Sequence, residues 1–324
     1  MKALLCREFA PLDALRVEEV PEPTAGTGEV VLDVRAASVN YPDALMVQGK
    51  YQVRPELPFI PGFECAGTIS SLGSDTGDLY LGMRVVGLAA HGAFADRVAL
   101  PAAAVVPIGD TLPFATAAVM PMTYGTAYHA LKDRAALAAG ETLLVLGAGG
   151  GIGTAAIELG KLMGARVIAA ASSHEKLAVA SQLGADDTLL YTQADWRDQL
   201  KAMTGRHGVD VVCDPVGGDY AEPALRSTGW GGRYLVVGFA TGEIPRLPWN
   251  LPLLKGSSII GVFWGEFRRR ETEQCMAQLR WLLEQARMER LKPAISARYP
   301  LADAVRPLRD VYERRVVGKL VLEP

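Results

Sequence analysis

Two rhythms of apolar and polar residues divide this chain. Through its first third, short apolar runs at Ala3–Leu5, Val30–Val34, Ala66–Ile69, Arg84–Leu88 and Arg97–Leu100 are separated by Pro, Gly and other turn formers. Many short strands of that kind predict a barrel or a sandwich. From about Ala115 to Leu137 the pattern turns helical and rich in Ala. Strand-like runs then alternate with helical stretches, at Leu143–Leu146, Val167–Ala170, Thr188–Leu190, Val209–Cys213 and Tyr234–Val237, with Ser258–Phe263 as a sixth. This alternation predicts a doubly wound parallel sheet, because each parallel strand needs a crossover helix to return. Beyond it, Arg268–Arg287 reads as one charged amphipathic helix, and strand signals recur at Ala294–Ala297 and Lys319–Leu322. The expected class is α/β, a β-barrel-type domain plus a doubly wound nucleotide-binding domain. The boundaries expected are 1–120 for the first domain, 121–262 for the second, and 263–324 for a return to the first.

The run from Thr142 to Ile157 carries the first chemistry. It reads as a buried strand, a glycine turn (Gly147-Ala-Gly-Gly-Gly-Ile-Gly153) and the start of a helix. Small residues at Ala148, Gly150 and Gly153 permit a tight turn, close approach of backbone to phosphate and close helix–strand packing. The first helical turn then points free N–H groups at negative charge, so Ala148, Gly149, Gly150, Gly151, Ile152 and Gly153 are candidates for a dinucleotide pyrophosphate. The next strand, through Ala171, ends in Ser172-Ser173-His174 with no Asp or Glu to hold a ribose 2′-hydroxyl. Ser172, Ser173 and Lys176 suit a 2′-phosphate instead, through hydroxyl donation and an ammonium charge. Ser172 or Ser173 also fits as the N-cap of the helix carrying Lys176, and the two roles are compatible. The dinucleotide expected is NADPH.

Composition narrows the classes without deciding among them. The chain has 324 residues, a net charge of −3 and 21 % charged residues, an ordinary globular balance with no basic stripe for nucleic acid. Cys6, Cys65, Cys213 and Cys275 are scattered, as are His91, His129, His174 and His207, so neither a disulfide framework nor a zinc cluster is read. The N-terminal apolar run is too short for a signal peptide, and the longest uncharged stretch, between Glu141 and Glu158, is glycine-rich. A cytoplasmic protein without membrane contact is expected.

Six motifs considered together resemble the zinc-free NADPH:quinone oxidoreductase (zeta-crystallin-like) branch of the medium-chain dehydrogenases/reductases. They are Ser38-Val-Asn-Tyr-Pro-Asp43, Pro61-Gly-Phe-Glu-Cys-Ala-Gly67, the glycine turn, Asp214-Pro-Val-Gly-Gly218, Val262-Phe-Trp-Gly265 and Gly318-Lys319. The resemblance runs nearly end to end. It implies a GroES-like domain plus a Rossmann domain, an active site in the cleft between them, and a homodimer joined through the apolar strand around Ser257–Val262. Where zinc-dependent relatives carry Cys and His ligands, this chain has Asn40 and Phe63, and Pro121-Met-Thr123 supplies no third ligand.

The same resemblance implies the remaining site residues. Asn40, Tyr51 and Asp43 are the catalytic candidates: Asn40 orients the nicotinamide or donates to a substrate oxygen, Tyr51 donates from its phenol, and Asp43 anchors the loop. Asn40 also fits as a turn cap and Tyr51 as a half-buried loop aromatic. Thr126, Tyr191, Gly238, Phe239, Phe263, Trp264, Gly265 and Lys319 join the cofactor set, with Tyr191 flanking the 2′-phosphate. Core packing for the aromatics and a solvated terminal position for Lys319 stand as the structural alternatives. The function implied is NADPH-dependent hydride transfer to quinones or related conjugated carbonyls, with an enoyl reductase as alternative and a non-catalytic NADPH-binding or RNA-binding protein as a second.

Overall fold

The computed structural model describes residues 1–324. Its contacts separate into two units, Met1–Met122 with Met276–Pro324, and Thr123–Cys275. The chain therefore returns to its first unit later than the expected 263, because the helix Trp264–Arg270 packs with the second unit through Trp264 against Gly125. The helix Thr272–Arg287 carries the chain across the boundary.

The first unit is built around one long strand, Glu29–Val39. It pairs antiparallel with Glu64–Leu72, Arg97–Pro101 and the C-terminal Lys319–Glu323. Pairing continues through Arg84–Leu88 to Val105–Pro107 on one side and Ile295–Pro300 on the other. Register is fixed because residues of one parity face the core, where Val30, Leu32, Val34, Leu320 and Leu322 join Phe59, Phe63, Phe94 and Leu100. In that register Leu320 lies opposite Val39, which sets Lys319 beside the end of the long strand.

The second unit carries a six-stranded sheet ordered Asp187–Leu190, Arg166–Ala171, Thr142–Leu146, Val209–Asp214, Thr228–Val236 and Ser258–Gly261. Every pairing is parallel. Its central strands are continuous apolar runs, as burial on both faces requires. The order reverses between Thr142–Leu146 and Val209–Asp214, the switch point where such sheets bind ligands at strand C-termini.

Two expected helices are broken. The stretch around Ala115–Leu137 alternates α-helical turns with π-helical ones at Met120–Tyr124 and His129–Arg134. Pro121 lies in the first π turn, where its missing N–H and its ring oppose a regular ladder. The expected helix Arg268–Arg287 is two, separated at Glu271. The sixth strand ends at Gly261, so Phe263 lies outside it and precedes the helix Trp264–Arg270. No helix is long and apolar enough to cross a membrane.

Candidate active site

In the second unit the glycine turn follows Leu146 and feeds the helix Gly151–Leu162. Gly147 has φ 63°, and a Cβ on Gly153 would stand 2.2 Å from the Gly147 carbonyl oxygen, so helix and strand approach as closely as backbone permits. The turn uses part of its own donor set. The Ala148 N–H donates to Ala170 O at 3.0 Å and the Gly150 N–H to Gly147 O at 2.9 Å, so neither is left for phosphate. The first intrahelical bond runs from Thr154 N–H to Gly150 O. The Gly151, Ile152 and Gly153 N–H groups, with that of Gly149, form the donor crown at the helix N-terminus.

Lys176 lies across this turn. A Cβ on Gly149 would stand 2.5 Å from the Lys176 Cβ, so a glycine is required beneath the lysine. The Lys176 ammonium donates to the Ser172 Oγ at 3.3 Å. Ser173 has the capping role, its Oγ accepting the Lys176 backbone N–H at 3.4 Å. Tyr191 is buried and packs on the Tyr220 ring at 4.3 Å between centroids, inside the core of this unit. At the switch point, Asp214 Oδ1 accepts the Val216 and Gly217 N–H groups at 2.7 and 2.9 Å and its other oxygen accepts the Tyr234 hydroxyl. These bonds set the turn on which Phe239 rests, its ring 2.8 Å from where a Gly217 Cβ would be.

The remaining aromatics separate. Phe239 and Phe263 are exposed, whereas Trp264 is buried against Gly125 with its indole N–H unpartnered, a core position rather than a ligand-facing one. Gly265 lies under the Phe263 ring, and Thr126 sits in the short helix Gly125–Tyr128. Just before that helix, the Tyr124 hydroxyl donates to the buried Glu158 of the glycine-turn helix.

The first unit holds a buried polar cluster at the end of its long strand. The Asn40 N–H donates to Asp43 Oδ2 at 2.8 Å, the carboxylate half of a capping box for the helix Tyr41–Met46. The Asn40 amide turns elsewhere: Nδ2 donates to Glu64 Oε1 at 2.9 Å and to Ser38 O at 3.3 Å, and Oδ1 accepts the Lys319 ammonium at 2.6 Å. Lys319 also donates to Val39 O at 2.9 Å, and Glu64 Oε2 accepts the Met122 N–H at 2.7 Å. Lys319 is 4 % exposed, so it is neither a solvated terminal lysine nor a surface contact. Tyr51 is half-buried and meets the Phe63 ring edge-on at 5.9 Å. The structure therefore gathers Asn40, Asp43 and Lys319, and adds Glu64 and Ser38. The sequence signal for Glu64 was a lone acid inside the apolar run Phe63-Glu-Cys-Ala66, where burial demands a partner.

Burial dominates the electrostatics of this cluster. It raises the Asp43 carboxyl to about 8, with the Asn40 N–H and the Lys319 charge opposing it. Burial likewise raises Glu64 and lowers Lys319, each partly offset by the other's charge. Two buried carboxyl groups beside one buried ammonium favour one retained proton.

The N-terminal unit matches the family model described as alcohol dehydrogenase GroES-like domain over residues 26–110, and residues 151–281 match the one described as zinc-binding dehydrogenase. Across 99 % of its length the chain is 36 % identical to the quinone oxidoreductase-like protein 2 homolog of Nematostella vectensis, spanning 88 % of that protein. The chain belongs to the medium-chain dehydrogenase/reductase family. It is 31 % identical to the quinone oxidoreductase of Rattus norvegicus, over 99 % of this chain and 97 % of that one. The quinone oxidoreductase of Thermus thermophilus, solved also in complex with NADPH, superposes with a TM-score of 0.86 at 33 % identity, with both chains covered fully. This medium-chain dehydrogenase/reductase is thus an oxidoreductase whose fold binds a nicotinamide cofactor.

The raised Asp43 carboxyl sets a pH dependence. An unfolded Asp releases its proton near 4, the folded one at about 8, so between those values the native state holds the extra proton. Stability therefore falls as pH rises through that interval, by up to about 1.4 kcal/mol per unit from this group. Denaturant midpoints measured from pH 5 to 8 should show that slope, and Asp43→Asn, which keeps an acceptor for the Asn40 N–H, should reduce it.

Proposed function

We propose that this oxidoreductase is a zinc-independent, NADPH-dependent reductase of quinones or related conjugated carbonyls. The observation that carries the cofactor assignment is the Lys176 ammonium with Ser172, lying over the glycine turn where an NAD-selective site would place an acid. In this assignment the Gly149, Gly151, Ile152 and Gly153 N–H groups hold the pyrophosphate, and Lys176 and Ser172 take the 2′-phosphate. Gly238, Phe239, Phe263, Gly265 and Thr126 remain the nicotinamide-side candidates. Ser173 serves through its cap, Tyr191 as a wall behind the selector, and Ala148 by fitting the turn.

The residues do not fit a catalytic zinc. Phe63 offers a ring buried in the core, and the Asn40 amide is engaged at both ends. A buried ammonium, Lys319, already supplies the local positive charge beside Glu64 and Asp43. A divalent ion there would meet a like charge and no thiolate or imidazole. When bound, NADPH supplies the hydride. The chain's own part is orientation and charge stabilisation: the Tyr51 phenol donates to the oxygen that gains electron density, and solvent returns the proton.

An edge also needs a partner. Ser258–Gly261 is the last strand of its sheet, and Trp230, Trp249, Leu253 and Leu254 in the same unit are each at least 69 % exposed. Pairing of that edge with a second copy, as two-fold dimers do, would cover both the strand and the apolar side chains.

Three measurements test this assignment. NADPH oxidation with 1,4-benzoquinone or phenanthrenequinone should proceed and be insensitive to chelators; reduction confined to enones or enoyl thioesters would replace the quinone assignment with an enoyl one. Lys176→Ala should weaken NADPH binding by about 1–3 kcal/mol and leave NADH nearly unchanged, because only the 2′-phosphate loses a charged partner. Leu253→Glu should convert a dimer to monomer in sedimentation without lowering the monomer's stability, since its side chain is 78 % exposed.

A further inference from the structure

Tyr51 stands at the end of a short loop in the first unit whose shape is set from outside the loop. After the helix Tyr41–Met46 the chain turns back on itself: the Gln48 and Lys50 N–H groups donate to Leu45 O at 3.2 and 2.9 Å, and the Gly49 N–H to Met46 O at 2.9 Å. Gly49 takes φ 67° beneath Phe9, and a Cβ there would stand 3.2 Å from the Phe9 side chain, so both conformation and space call for glycine. Gln48 then acts as a relay. Its Nε2 donates to Ala44 O at 2.8 Å, which directs its Oε1 to accept the Lys50 ammonium at 2.9 Å. The same ammonium donates to the Tyr312 hydroxyl at 3.0 Å and lies 5.3 Å over the centre of that ring. Tyr312 ends the helix Val305–Tyr312, and its ring stacks on that of Tyr41 with centroids 6.2 Å apart.

Beyond Tyr51 the packing thins out, since Gln52, Val53 and Arg54 are exposed. Phe63 meets the Tyr51 ring edge-on, which limits where the ring lies but does not hold the backbone that carries it. We propose that Lys50 and Tyr312 are positioning residues for Tyr51: the ammonium ties the loop to a helix residue 262 positions away in the chain and so holds the phenol ready to donate to the oxygen being reduced. This rests on the assignment of Tyr51 as that donor. All the groups involved belong to the first unit. A donor carried on a mobile loop must be ordered at the moment of reaction, whereas a tethered one is ordered beforehand. The Lys50–Tyr312 bond is exposed to solvent, so its effect is local to the loop rather than on the stability of the whole unit.

The test combines Lys50→Met and Tyr312→Phe with Tyr51→Phe, using NADPH and 1,4-benzoquinone. Lys50→Met should lower kcat and kcat/KM for the quinone together by about fivefold, the scale of one net hydrogen bond, and leave KM for NADPH within about twofold. Tyr312→Phe keeps the ring beneath the ammonium but removes the hydroxyl, so its loss should be smaller. In the Tyr51→Phe background neither change should lower kcat further. A loss that persists undiminished in that background would overturn the positioning role. A raised KM for the quinone at unchanged kcat would make Lys50 a direct acceptor contact and overturn it as well. Hydrogen exchange in the apo-protein reads the tether without turnover: Lys50→Met should speed exchange of the backbone amides at positions 49 to 51, and unchanged exchange would refute the tether. Faster exchange in Lys50→Met, together with a Tyr51→Phe variant that keeps the full kcat, would support the tether and overturn the assignment of Tyr51 as donor.

Discussion

The first unit is organised around a buried ammonium. Burying an unpaired charge costs several kcal/mol, and Lys319 escapes that cost because Asn40 Oδ1 and Val39 O accept from it and the Glu64 carboxyl faces it, with Asp43 nearby. Lys319 and its partners come from three stretches of chain. Asn40 and Asp43 follow the long strand, Glu64 begins its neighbour, and Lys319 begins the last strand of all. A register slip of one residue would turn Lys319 to the opposite face and leave the buried carboxyl groups without their counter-charge. The cluster thus penalises wrong pairings more than it stabilises the right one, a role that a hydrophobic substitute would not fill.

The second unit depends on a steric constraint instead. Gly153 lets helix and strand meet at a distance no side chain allows, and the same turn consumes the Ala148 and Gly150 N–H groups to hold its shape. What remains is a small set of donors in a fixed arrangement, with Lys176 laid across the turn because Gly149 has no side chain. In the proposed assignment, charge selection and pyrophosphate binding share one scaffold: a residue larger than glycine at 149 would displace the lysine as well as crowd the phosphate.

Much of this was legible from residues close in sequence. The strand–turn–helix run, the parallel sheet and the absence of an acid after Ala171 are local patterns, and local patterns survive folding. Pro121 was a readable sign that the Ala-rich helical stretch would not be regular, whereas the break at Glu271 carried no marker. The polar cluster was not legible, because nothing near Lys319 in sequence distinguishes a buried lysine from a solvated one. Its burial follows from pairing with a strand some 280 positions earlier, and the interior location of Glu64 follows from the same sheet. The burial of Trp264 against Gly125 was not legible for a related reason: it depends on a helix starting just past the strand end, which brings the indole to a residue far away in sequence.

An Asn40 amide with both N–H groups engaged limits the reactions the proposed site can promote. Reducing a saturated ketone makes an alkoxide, an anion with basicity near that of hydroxide, for which a Lewis acid or a strong donor array is normally required. Reducing a quinone makes a phenolate-type oxygen with a pKa of about 10, roughly six units below the 15.7 of water. At 1.36 kcal/mol per unit, that difference is about 8 kcal/mol of charge stabilisation that the protein need not supply. With both Asn40 N–H groups bonded inside the cluster, the donor assigned to the substrate oxygen is the Tyr51 phenol. One phenol is commensurate with the smaller demand and far short of the larger. In the proposed assignment, a site with one phenol donor therefore suits acceptors whose conjugation stabilises their own reduced form.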